Sequence, residues 1–196
     1  VARADGGGQL AEGEIAQAAP SDVIDRAIQE PLPGGCRLHA PKCTVWYIMP
    51  KPVTASIDVR QPRPAVFDFL DVMANHEPFT DHMLVDWEYS GPPRGVGSKA
   101  RVRSQAGPVA DVIDIEVVDA EAPDRIVERN VGAKGRRIGT GTYELAEIPG
   151  GGTRITFTYA WEQAPRSERL FAPLVRRILH RGNQRAMERL AEQLPG

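Results

Sequence analysis

Apolar and polar residues alternate through Val53-Thr54-Ala55-Ser56-Ile57-Asp58-Val59, and this β-rich alternation predicts a strand. The period then changes. Pro62 and Pro64 open a short helix, where their fixed φ suits the first turn, and Val66, Phe67 and Leu70 follow at helical spacing. Met73 to Phe79 predicts a second short helix ending near Pro78. Six strands follow, each closed by turn chemistry. Met83 to Tyr89 ends at Ser90-Gly91-Pro92-Pro93, Gly97 to Ser104 near Gly107-Pro108, and Val109 to Val118 at Ala122-Pro123-Asp124. Arg125 to Val131 ends at the Gly132–Gly135 turn, Arg136 to Ala146 leads to Pro149-Gly150-Gly151-Gly152, and Thr153 to Trp161 is the last. A long helix from Ser167, its candidate N-cap, to Gln193 closes the pattern. Phe171, Leu174, Val175, Ile178, Gly182, Ala186 and Leu190 form one stripe along it.

Strands joined by short turns imply an antiparallel sheet, and the order β, α, α, six β, long α gives an α+β domain. One long helix is available to cover the concave face of a strongly curved sheet. Alternation assigns the faces. Ile155, Phe157, Tyr159 and Trp161 share one side of the last strand, with Arg154, Thr156 and Thr158 on the other. Gly139, Gly141, Tyr143 and Leu145 share a side of the strand before it. Ile113, Ile115 and Val117 oppose Val112, Asp114 and Glu116, and Met83, Val85, Trp87 and Tyr89 fall together. The inner surface so assigned is rich in aromatic groups and poor in charge.

Residues 1–50 lack a sustained period. Ser21 to Ile28 would make one helix capped by Ser21, too short to be stable alone. The segment is expected to be a disordered N-terminal extension, with Met49 the expected natural start and residues 51–196 the folded domain. Cys36 and Cys43 flank His39, three groups where a structural zinc site needs four ligands, so they read as incidental thiols. No metal and no cofactor is expected. Lys and Arg number 24 against 26 Asp and Glu, a formal charge of -2, which leaves no global footprint for nucleic acid or an anionic membrane. No apolar run approaches the roughly 18–20 residues of a membrane-spanning helix, and the N-terminus lacks the apolar core of a secretory signal. A cytoplasmic monomer or homodimer is the expectation. Arginine outnumbers lysine twenty to four, which suggests a GC-rich coding sequence and no function.

The stretches SIDVRQPRPAVFDFLDVMANHEPFTDH, SGPPRGVGSKARV, VVDAEAPDRIVER and GTGTYELAEIPGGGTRITFTYAW, followed by the terminal amphipathic helix, resemble the START-like or Bet v 1-like (SRPBCC) superfamily. This group includes polyketide cyclases and bacterial lipid-transfer proteins, and the resemblance covers nearly all of residues 53–194. It implies a helix-grip fold: a seven-stranded antiparallel sheet wrapped around the long C-terminal helix, two short helices after strand one, and a cavity between sheet and helix. It does not specify a reaction, because the superfamily hosts both carriers and enzymes.

The expected cavity lining is Trp87, Ile113, Ile115, Tyr143, Phe157, Tyr159, Trp161, Phe171, Leu174 and Ile178. Gly139 and Gly141 on the sheet and Gly182 on the helix are expected to leave volume between the two walls. The resemblance places His76 and Phe79 near the cavity mouth. His76 and His82 are expected to be loop residues touching water, and His180 a boundary position. One of Glu128 and Arg129 must point inward, and the expected outcome is a strand end reaching solvent.

A binding or carrier domain for a lipid-like, polyketide-like or aromatic molecule is the leading functional expectation. The hydrolase GxSxG and the metalloprotease HExxH are absent, and neither Gly95-Val96-Gly97 nor Gly139-Thr140-Gly141 opens a helix as a phosphate loop does. A cyclase or dehydratase is the alternative. Aromatic cyclases of the family use an inward arginine, whereas alternation puts Ala100, Val102 and Ser104 inside and Arg101 and Arg103 outside. The second alternative is a co-chaperone-type interaction module. It rests on Arg166, Arg169, Arg176, Arg177, Arg181 and Arg185, which as a solvated helix face need no partner.

Overall fold

The computed structural model describes residues 49–105 and 110–194. The expectations for residues 1–48, including the Ser21 helix and the Cys36, His39 and Cys43 group, lie outside the described residues.

Seven strands form one sheet: β1 (Val53–Val59), β2 (Leu84–Ser90), β3 (Lys99–Ser104), β4 (Asp111–Glu121), β5 (Arg125–Gly132), β6 (Arg137–Ile148) and β7 (Gly152–Gln163). Their spatial order is β1-β7-β6-β5-β4-β3-β2, and every neighbouring pair is antiparallel. From β2 to β7 each strand pairs with the next in sequence. The first strand instead returns to the last, with Val53 opposite Tyr159 and Val59 opposite Thr153. Two short helices, α1 (Arg63–Leu70) and α2 (His76–Thr80), stand between β1 and β2 with a 3-10 turn, Met73–Asn75, between them. The described chain ends in α3 (Arg166–Leu170) and α4 (Ala172–Gln193). This is the α+β domain expected from the pattern, in the helix-grip form that the family resemblance implies. The β6–β7 hairpin turns where glycine is required, since Gly150 and Gly151 have φ of 98° and 84°.

Two elements depart from expectation, each for a local reason. In β2 the register shifts between Val85 and Glu88, and Asp86 adopts φ 56°. This bulge reverses the parity of the strand beyond it. Leu84 and Trp87 therefore face the interior while Val85, opposite the outward Arg103, faces out, so Met83, Val85, Trp87 and Tyr89 do not form one face. Tyr89 stacks on Trp87 and shares its side, but at the sheet edge it is 44% exposed. The terminal helix is also not continuous. Phe171 (φ -103°, ψ 26°) separates α3 from α4, because Pro173 fits only the first turn of a helix and forces a restart. Ser167 then lies inside α3, whose cap position is Pro165.

The long helix α4 packs along β1 and α2, burying Asn183, Ala186, Met187 and Leu190. Val66, Phe79, Ile126, Ile155 and Leu190 are fully shielded, each burial contributing about 1.5–3 kcal/mol. Polar ties fix the helix in place. His180 Nδ1 donates to the Thr54 carbonyl at 3.1 Å, and His82 Nε2 donates to the Gly182 carbonyl at 3.0 Å. His82 lies in the turn after α2 as expected, but it is half-buried and ties down α4 through this bond. The Arg189 guanidinium reaches Asp81 at 2.8 Å beside α2.

Candidate ligand cavity

Alternation along the sheet builds the cavity wall rung by rung, because antiparallel register puts inward residues of adjacent strands side by side. The deepest rung joins Ile126, Tyr143 and Phe157. The next joins Glu128, Gly141 and Tyr159, and the one above it Ile115, Asn130, Gly139 and Trp161. The last pairs Gly132 with Arg137, beside Ile113 and Asp111. Against these rungs stand α2, Trp87 of β2, and the inner side of α3 and α4. The space enclosed is about 490 Å³.

All ten residues expected on the wall lie on it. Their depths differ from expectation, and two groups exchange places. Phe171 and Leu174 are each 57% exposed and Ile178 is 40% exposed, so with Leu170 they form an apolar rim. His76 and Phe79, expected at the mouth, are 4% and 0% exposed and sit at the closed end. The reason lies in α4. Its buried stripe runs through Asn183, Ala186, Met187 and Leu190. In its first turns Val175 and Leu179 pack against Val53, Trp161 and Ala164, which leaves Leu174 and Ile178 overhanging the opening.

The closed end carries a buried ionisable pair. Glu128, expected to reach solvent, is only 5% exposed and faces the cavity, while Arg129 points outward. His76 Nδ1 lies 3.1 Å from Glu128 Oε1. The other ring nitrogen, Nε2, is 2.7 Å from the Leu70 carbonyl, which can only accept, so Nε2 carries a hydrogen. One further proton must then lie between Nδ1 and the carboxylate. Burial alone would push the His76 pKa down, but the Glu128 carboxylate, with the Leu70 carbonyl and Asp71, raises it above its ordinary value. The His76 ring also meets Phe79 (centroids 5.4 Å apart) and the edge of Tyr143 (5.6 Å). Burial, and then the charge of Glu128, pushes the Tyr143 phenol well up, so it remains a hydrogen-bond donor. Tyr159 is likewise raised by burial, to about 12.

A second polar cluster stands at the open end. Arg137 donates to Asp111 at 2.7 Å and to Glu168 at 2.7 Å, and Trp161 Nε1 donates to Glu168 Oε2 at 3.3 Å. These contacts clamp α3 to the ends of β4 and β6. Arg101 and Arg103 lie outside the cavity as expected, paired with Asp114 and Asp86.

The glycines do not supply the volume. A Cβ on Gly139 would meet Tyr159 Oη at 2.4 Å, one on Gly141 the Phe157 ring at 3.1 Å, and one on Gly182 the Met83 sulfur at 2.1 Å. Rings from β7 and the Met83 thioether occupy the space that the missing side chains leave. Gly139→Ala, which also brings its methyl within 2.9 Å of the Ala160 carbonyl, is expected to destabilise the fold by about 1–3 kcal/mol. Chemical unfolding would measure this loss.

Sequence reasoning left open which of Glu128 and Arg129 faces inward, and it missed Asn130, Asp111 and Arg137 as wall residues. For Arg137 a signal existed: it continues the odd-numbered inward face of Gly139, Gly141 and Tyr143. Among the described residues no group of three His, Cys, Asp or Glu side chains is placed to hold a metal ion, and no helix is long and apolar enough to cross a membrane.

Comparison with known proteins agrees with this architecture. A family model described as polyketide cyclase / dehydrase and lipid transport matches residues 51–195. Among solved structures, TTHA0849 from Thermus thermophilus is 18% identical with a TM-score of 0.58, the match covering 74% of this chain and 97% of that one. The KanY protein is 15% identical with a TM-score of 0.60, over 76% of this chain and 100% of that one. Ara h 8.0201 is 10% identical with a TM-score of 0.54, over 74% and 97%. At these identities the likeness concerns the fold alone. No curated protein sequence matches the chain.

Proposed function

The chain belongs to the polyketide cyclase/dehydrase and lipid transport family, and from that premise we propose that it binds a hydrophobic small molecule in its internal cavity. The observation that carries this reading is a space of about 490 Å³ walled mainly by apolar and aromatic side chains. That is the size and character of a small-molecule site, apolar with a few placed polar groups. The rim of Leu170, Phe171, Leu174 and Ile178 supports an apolar route from surface to interior.

A neutral, environment-sensitive fluorophore such as N-phenyl-1-naphthylamine tests the reading. Saturable binding at one site per chain is the expected result. Ile113→Trp, which projects an indole into the space, should weaken it about tenfold or more while leaving the melting transition in place. No saturable binding, or binding indifferent to the filled cavity, would overturn the proposal. The second outcome would place the probe on the exposed rim.

One observation favours a second reading, proton transfer on a bound molecule by a cyclase or dehydratase: the His76–Glu128 pair at the cavity floor. An inward arginine of the kind that aromatic cyclases use is not free for the task, since Arg137 is held by Asp111 and Glu168. The arginine-rich helix adds no support for an interaction module. Its exposed residues Arg166, Arg177, Arg181 and Arg185 are the solvated face of an amphipathic helix.

A further inference from the structure

The cavity floor is specific about what it can hydrogen-bond. Glu128 is buried and aimed into the cavity, and an ionised carboxylate only accepts. His76 faces Oε1 as an ion pair at 3.1 Å, yet Oε1 has no aligned hydrogen-bond donor among the described residues. Nε2 of His76 is committed to the Leu70 carbonyl, while Nδ1 faces Oε1 without the alignment of a hydrogen bond. The nearby Thr80 hydroxyl is also committed, donating to the His76 carbonyl at 2.6 Å. The floor thus presents unfilled acceptor capacity on a buried charged group, a costly arrangement unless a donor arrives.

We infer that the Glu128 carboxylate, held by His76, is an anchor for a hydroxyl group on an aromatic ligand. The inference rests on the cavity-binding reading above and names the ligand class for that same site. Three features select the class. A donor is required, because the carboxylate accepts. An uncharged donor suits the site, because Glu128 already has its counter-charge in His76 and burying a further cation would cost its full desolvation. An aromatic body suits the surroundings, because Tyr143 and Phe157 stand 4.7 Å apart on the wall beside Glu128, and Phe79 lies behind His76.

The test compares three naphthalenes of nearly equal shape by calorimetric titration at neutral pH: 2-naphthol, 2-methylnaphthalene, and 2-methoxynaphthalene, which has the oxygen but no donor. Wild-type protein should bind 2-naphthol about 10- to 100-fold more tightly than either analogue, the range for a hydrogen bond to a charged partner. Glu128→Gln, close in shape, should shrink that preference to a few-fold while the methyl analogue binds as before. Glu128→Leu should abolish it, and thermal unfolding of both variants checks that the fold persists. If all three bind wild type equally, water or protein groups satisfy Glu128 and the inference is overturned while the cavity reading stands. A preference that survives in Glu128→Gln and Glu128→Leu would assign the hydroxyl to another group and equally overturn it. If none binds, the cavity reading falls, and the inference with it.

Discussion

Phe79→Ala is expected to remove about 3–5 kcal/mol of stability, the range for deleting a buried phenylalanine ring. Phe79 has no exposed surface. It belongs to the core shared by Leu70, Ile126 and Leu190, and it also lines the cavity floor. The void left by its ring opens into a space that already exists, so neighbouring side chains have little to collapse onto. Since domains of this kind are stable by about 5–15 kcal/mol, the variant should unfold at a much lower urea concentration with a nearly unchanged slope. A midpoint shift worth less than about 1 kcal/mol would mean that the ring is not a packing element there.

The second large effect concerns the buried pair. His76→Leu leaves Glu128 without its counter-charge in an apolar enclosure and should cost about 3–5 kcal/mol, whereas His76→Leu with Glu128→Leu should cost far less or even stabilise. The pair also makes stability depend on pH. The folded protein holds the His76 proton more tightly than the unfolded chain, whose value is near 6.5. The resulting stabilisation is complete below that pH and fades as pH rises through the higher folded value, at a slope of up to about 1.4 kcal/mol per pH unit. Denaturant melts across neutral and mildly alkaline pH would measure it. The slope should be present in wild type and absent in the double variant. Equal slopes in both would exclude His76 as the titrating group.

How much of this was legible beforehand depended on whether a strand carried its own frame of reference. In β7 the run Ile155, Phe157, Tyr159, Trp161 against Arg154, Thr156, Thr158 declares its faces, and the structure agrees. The fifth strand does not declare them. Its even positions read Ile126, Glu128, Asn130, Gly132 and its odd positions Arg125, Val127, Arg129, Val131, so hydrophobicity alone leans toward the wrong face. Register against Gly141 and Gly139 of β6 is what turns Glu128 inward, and register is a property of two strands together. Likewise, nothing in the alternation of β2 announces the bulge at Asp86, which puts Val85 on the face opposite Trp87. The break at Phe171 did have a visible cause in Pro173. The position of His76 was hidden for another reason: α2 is too short to show a periodicity, and only its packing against Glu128 and Tyr143 makes it an interior helix.

The pairing of β1 with β7 has a consequence for how the chain reaches this form. The strands from β2 to β7 can zip up through successive hairpins, each closing a short loop. The edge between the first and last strands joins Thr54 to Thr158 across 104 residues, and the entropy of that closure must be met before any of its contacts reward it. Because α4 lies on β1, the helix finds its seat only once that seam is made. Loop-closure entropy alone therefore predicts that the enclosure is completed late in folding, after the meander that forms most of its wall.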